Sequence, residues 1–100
     1  MTKADIVQEI AARTGIDKVE VLTTVEAFMS SVKKALEHGE NVYLRGFGSF
    51  VVKKRAKKLG RNITANTTVV IPEHYIPSFK PAKEFVEEVK GKVKSPGNAE

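Results

Sequence analysis

The sequence predicts an α+β fold in which two N-terminal helices and one C-terminal helix build an intertwined dimeric body, and a long β-ribbon arm protrudes from each subunit. Three observations carry this reading. Residues 1–40 show helical periodicity with start and stop signals, residues 42–80 change to strand-like patterning broken by Gly and Pro, and residues 53–72 hold six cations without one carboxylate.

Thr2 followed three residues later by Asp5 reads as a capping-box start, with Ile6, Val7, Ile10 and Ala11 on one helical face. Gly15 ends this helix. Asp17 and Glu20 repeat the start signal, and a longer helix runs to about His38, closed by Gly39. At about 100° per residue, Val21, Leu22, Val25, Phe28, Met29, Val32, Ala35 and Leu36 fall within an arc of about 140°. The charged residues between Glu20 and Glu37 all lie outside it. Val42-Tyr43-Leu44 then reads as a short strand, 45–48 as a glycine turn and 49–55 as a second strand. Val69, Val70 and Ile71 mirror Phe50, Val51 and Val52 across the cationic stretch, so residues 53–72 read as a two-stranded ribbon with Thr64-Ala65-Asn66 at its tip. Each limb of about nine residues reaches about 30 Å at strand rise. Pro72, Pro77 and Pro81 leave 75–80 as an edge strand. A last helix begins near Pro81 or Ala82 with Phe85, Val86, Val89 and Val93 facing inward, and 94–100 reads as a disordered tail. Residues 1–93 thus form one domain, its arm at about 53–75.

The charge is concentrated. Residues 41–83 carry nine Lys and Arg against the single Glu73, a net +8, whereas the whole chain carries +5. A polyanion would relieve the mutual repulsion of such a segment. With ribbon and tail set aside, about 70 to 80 residues remain for a body without disulfide or metal, a size that often oligomerises. The apolar stripe of the long helix is the surface to share.

The absence of Cys removes disulfides, thiolate metal sites and cysteine nucleophiles, and suits a reducing cytoplasm. No secretory signal or membrane-length apolar run is visible. His38 and His74 have no second ligand at metal-like spacing, and no phosphate-binding Gly-Lys-Ser/Thr loop or Ser-His-acid set occurs. No catalytic residue, metal or cofactor is therefore expected, and the protein reads as a non-enzyme.

Arg45-Gly46-Phe47-Gly48-Ser49-Phe50-Val51-Val52 nearly matches the RNA-recognition signature, but the inserted Ser49 moves Phe50 to the opposite strand face. A glycine-pinched hairpin whose aromatics pack on the helices is the favoured reading. Two alternatives remain: an RNA-binding module stacking bases on Phe47 and Phe50, and a scaffold that binds acidic proteins or glycans. A cationic ribbon also suits a DNA groove, with Arg61 and Asn62 reaching minor-groove acceptors and Ile63 placed to wedge between base pairs.

Gly46-Phe47-Gly48-Ser49-Phe50, Gly60-Arg61-Asn62, Ile71-Pro72 and Pro77-Ser78-Phe79-Lys80-Pro81 together make the chain resemble the bacterial histone-like DNA-bending proteins of the HU/IHF family, over residues 1 to about 93. The resemblance implies a dimer whose helical body is capped by a small antiparallel sheet and whose two arms wrap and bend double-stranded DNA through the minor groove, at the cytoplasmic nucleoid. It implies that Lys53, Arg55, Lys58 and Arg61 line the arm's DNA face, that Asn62 stands with Arg61 at the tip, and that Lys3, Lys80 and Lys83 are flanking phosphate contacts. Ile63 stands where the family usually has an intercalating Pro, and Ala82 where it has Gly. The expected partners are duplex DNA and a second subunit, in a homodimer or, as an IHF-like site-preferring subunit, in a heterodimer with a paralogue.

Overall fold

The structure, a computed structural model, describes residues 1–62 and 67–93, and for Arg61 and Asn62 the backbone alone. The elements run α1 (Lys3–Thr14), α2 (Lys18–Glu37), β1 (Val42–Leu44), β2 (Gly48–Arg55), β3 (Lys58–Asn62), β4 (Thr67–Ile71), β5 (His74–Pro81) and α3 (Lys83–Lys92). The fold is α+β, three helices with antiparallel strands in two open sheets.

The α1 start follows from its local chemistry. The Asp5 N–H donates to Thr2 Oγ1 at 3.3 Å and the Thr2 N–H donates to the Asp5 carboxylate at 2.9 Å, so two otherwise orphaned donors are satisfied. At α2 the expected cap is only half realised. Asp17 occupies the cap position without a side-chain cap bond, and it contributes negative charge at the positive end of the helix dipole instead. His38 closes α2, its ring Nδ1–H donating to the Lys34 carbonyl at 2.8 Å.

The sheet order is β1-β2-β5, with β3 and β4 paired separately. A turn between β1 and β2 donates Phe47 N–H to Leu44 O at 3.0 Å and places Gly46 at φ 81°, the conformation its third position requires. β2 then runs against β5 from Gly48↔Pro81 to Arg55↔His74. This corrects the expected mirror pairing of 50–52 with 69–71. Phe50 lies opposite Phe79, with ring centroids 4.9 Å apart, and that aromatic pair aligns β2 with β5. Val69, Val70 and Ile71 pair instead with Gly60, Leu59 and Lys58.

The ladder is interrupted between body and arm. Residues 56–57 on one limb and 72–73 on the other lie outside any strand, and pairing restarts at Lys58↔Ile71. Pro72, which has no N–H to donate, marks the break. The last helix starts one or two residues later than expected, at Lys83. Pro81 stays in β5 opposite Gly48, and the Ala82 N–H donates to Phe47 O at 2.9 Å. The tip at 64–66 and the tail at 94–100 lie outside the described residues.

Helices and sheet meet through aromatics. Phe47 lies 5.1 Å from Phe79 and 5.5 Å from Phe85, so the glycine turn, β5 and α3 share one cluster. Beyond it the chain covers little of its own apolar surface. Among the described residues Val7 and Val21 are the buried hydrophobics. Phe28 and Met29 of the α2 stripe are 46% and 40% exposed, and Val86, Val89 and Val93 are exposed as well. Such an uncovered stripe leaves an apolar surface open to a further packing partner.

Candidate nucleic-acid interface

Strand alternation sorts β2 into two chemistries. Gly48, Phe50, Val52 and Lys54 point to one face of the sheet and Ser49, Val51, Lys53 and Arg55 to the other. Directly paired residues in an antiparallel ladder share a face, so the register assigns β5 as well. Phe79, Pro77 and Tyr75 join the aromatic side, where Val52, Tyr75 and Pro77 border a groove with Lys33, Leu36 and Glu37 of α2. Lys80, Ser78, Ile76 and His74 join Ser49, Val51, Lys53 and Arg55 on the side turned away from the helices.

Three of the sequence-predicted residues, Lys53, Arg55 and Lys80, therefore share one face. Lys80 lies opposite Ser49, six residues from Arg55, so the cations run along about 20 Å of strand. All three are exposed, and none has a carboxylate partner among the described residues. On the same face Tyr43 lies opposite Ser49, and with Arg45, Val51 and Lys80 these residues line an open groove of about 550 Å³. A row of cations interleaved with hydroxyls can take several phosphates in succession.

The arm adds a further exposed cation. Lys58 and Ile71 are opposite each other at its root, both exposed. Arg61 and Asn62 pair through their backbones with Thr68 and Thr67. Ile63, the expected wedge, lies outside the described residues. Leu59, Val69, Val70 and Ile71 are exposed on a two-stranded ribbon that has no second layer to bury them.

Lys83 stands in the first turn of α3, where the helix dipole disfavours a cation, so its charge is better used outward than within the fold. Lys3 is placed differently. It lies on α1, and its ammonium is engaged with the Glu26 carboxylate at 2.6 Å. Lys3 is therefore held in a pair on the helical body, apart from the sheet's cationic face.

Sequence reasoning passed over His74, Ser49, Ser78 and Tyr43. Counting by twos from Lys53 and Arg55 finds Ser49, whereas the other three need the register. It also passed over the ion pair between Lys54 and Glu73, 3.5 Å across the root of the arm. The base-stacking role considered for Phe47 and Phe50 is not favoured, because their rings are engaged with Phe79 and Phe85. Among the described residues no three His, Asp or Glu side chains gather as a metal site, and no helix is long and apolar enough to cross a membrane.

The family model described as Bacterial DNA-binding protein matches residues 1–90. The DNA-binding protein HU of Thermus thermophilus is 39% identical over 90% of this chain and 93% of its own length. The integration host factor subunit beta of Paraburkholderia phytofirmans is 36% identical over 100% of this chain and 94% of its own. Among solved structures, Anabaena HU crystallised with DNA superposes with a TM-score of 0.85 at 31% identity, covering 89% of this chain and 97% of that one. By the family match and these identities, the chain belongs to the bacterial DNA-binding protein family of HU and the integration host factor subunits, architectural proteins of DNA.

Proposed function

We propose that this protein is a dimer that lies along duplex DNA with its two arms in the minor groove, bends it with little sequence preference and compacts it at the cytoplasmic nucleoid. The observation that carries the reading is the β2–β5 register, which gathers Lys53, Arg55 and Lys80 on the sheet face turned from the helices. Two copies of the +8 segment bring +16 to one assembly, and the exposed stripes of α2 and α3 supply the dimer surface. The Anabaena HU structure with DNA supports DNA as the partner of this fold.

The residues assigned to DNA are Lys53, Arg55, Lys58, Arg61, Asn62, Lys80 and Lys83, with Lys3 as an outlying contact and Ile63 as the wedge. Residues 1–93 act as one domain, and no catalytic chemistry is required of it. Phosphate contacts dominate such binding, and about twelve from Lys53, Arg55, Lys58, Arg61, Lys80 and Lys83 of two protomers give a log–log salt slope of about −11. Inserting Ile63 twice costs a few kcal/mol of unstacking per step, offset by the contacts that bent DNA allows.

The test is end-to-end energy transfer across a mixed-sequence duplex of about three to four helical turns, titrated at several salt concentrations. The ends should approach as protein binds, with a steep salt slope. Binding without approach of the ends refutes bending, and preference for single-stranded RNA refutes the duplex as target. Ile63→Ala should keep most of the affinity and reduce the approach; equal bend angles would remove the wedge.

A further inference from the structure

The arm root carries a feature that duplex binding does not require. Glu73 is the one carboxylate among residues 41–83, surrounded in sequence by nine Lys and Arg. It stands in the break between the two sheets, one residue before β5, and its Oε1 lies 3.5 Å from Lys54 Nζ. The pair crosses from one limb of the arm to the other. Lys54 alternates with Lys53 and Arg55 along β2 and so points to the opposite face, next to Tyr75, its partner in register. Glu73 thus holds one cation on the back of the arm root while its neighbours remain free on the front.

Resting on the DNA-binding reading, we propose that Glu73 is an internal competitor for DNA phosphate: a positioning residue that keeps Lys54 out of the phosphate contacts and sets affinity and salt dependence below what the charge of the arm would give. The geometry suits a brake rather than a lock. Both side chains are more than half exposed, at 54% and 61%, and a pair so solvated is weak enough for phosphate to displace. The break at 56–57 and 72–73 relieves both limbs of ladder hydrogen bonds at the same level. Glu73 lies in that break while Lys54 stays paired with Tyr75, so the two side chains can part by rotation without breaking a strand pair. Lys54 also has a flexible four-carbon stem, and β1 pairs with β2 only at residues 48–50, so the freed ammonium can extend past the open edge of β2 toward phosphate.

The experiment compares the parent chain with Glu73→Gln, Lys54→Gln and the double variant, by fluorescence anisotropy on a mixed-sequence duplex between about 50 and 200 mM salt. Urea midpoints accompany it to show that each variant folds. Glu73→Gln should tighten binding by about 1.4- to 5-fold per arm, the range of an exposed ion pair expressed as affinity. It should also steepen the salt slope by about 2, one added phosphate contact in each of two protomers. In the Lys54→Gln background both gains should vanish. An unchanged slope in Glu73→Gln overturns the proposal, and so does the same gain without Lys54, which would mean that Glu73 repels DNA directly. A parent chain with no affinity for the duplex refutes the underlying DNA-binding reading instead.

Discussion

Replacing Gly48 by Ala should cost this protein a large share of its stability, and the structure gives the reason atom by atom. Gly48 is buried at the start of β2, opposite Pro81, at φ 156°. A Cβ built there would lie 2.6 Å from the Lys80 carbonyl oxygen and 2.7 Å from Cε1 and Cζ of Phe79. Neither neighbour can retreat cheaply. The carbonyl belongs to the backbone of β5, and the Phe79 ring is held by Phe47 and Phe50 at 5.1 and 4.9 Å. Overpacking of this kind costs about 1–3 kcal/mol, and a backbone conformation that side chains rarely adopt adds about 1–2 more. The expected loss is about 2–5 kcal/mol, set against a total of about 5–15 for a domain. Urea unfolding followed by circular dichroism, at one fixed protein concentration because a dimer's stability depends on it, measures the difference. Gly46→Ala is the internal control. Gly46 also has positive φ, 81°, but nothing lies within 4 Å of the added methyl, so only about 1 kcal/mol of backbone strain is expected. The reasoning fails if Gly48→Ala stays within about 0.5 kcal/mol of the parent, or if Gly46→Ala costs as much.

Lys3 must leave Glu26 before it can reach a phosphate, whereas Lys53 has no carboxylate partner among the described residues. Lys3→Gln should therefore weaken duplex binding less than Lys53→Gln in parallel titrations, and the reverse ranking would contradict this account. Arg55→Ala should flatten the salt slope by about 2 while leaving the urea midpoint near the parent's, because Arg55 packs on the exposed face; a lost midpoint with an unchanged slope would make it structural. Thr2→Ala should cost about 1 kcal/mol through the α1 cap, read from thermal melts. The backbone N–H of Thr2, then its hydroxyl, holds the Asp5 carboxyl below its ordinary value of 3.8. A lowered folded value stabilises above the unfolded one and is lost as pH falls through the folded one. The gap in melting temperature between parent and Asp5→Asn should accordingly be full near neutrality and close below about pH 3.8. A gap that persists into strong acid would contradict the cap assignment.

The helices were legible because their signals are local. Thr2 and Asp5 are three residues apart, and the α2 stripe repeats within one turn, so neither needs knowledge of the rest of the chain. What the stripe packs against was harder to read, since within this chain Phe28 and Met29 stay exposed. Strand pairing was less legible. Val69, Val70 and Ile71 look more suitable for Phe50, Val51 and Val52 than Pro77, Ser78 and Phe79 do, because Pro is depleted in strands and cannot donate to a ladder. The choice falls to Phe79, whose ring meets Phe50 and Phe47 at once, a contact across about thirty residues of chain. The Lys3–Glu26 and Lys54–Glu73 pairs were hidden for the same reason, since a charge does not name its partner.

The candidate DNA face depends on that same register more than on the number of cations. Along β2 the side chains alternate, aromatic and aliphatic at 50 and 52, basic at 53 and 55, with Ser49 and Val51 on the basic side. A slip of one residue would turn Phe50 and Val52 outward and press Lys53 and Arg55 onto the helices, with composition and net charge unchanged. Gly48 opposes the slip, because the space at Pro81 and Phe79 accepts a residue without Cβ and rejects Ser49 or Phe47 in its place. The Asn41 side chain opposes it from the other edge, its Oδ1 accepting the Val52 N–H at 3.0 Å just before β1 begins. The glycine turn and its aromatics therefore decide which side of the sheet carries the charge.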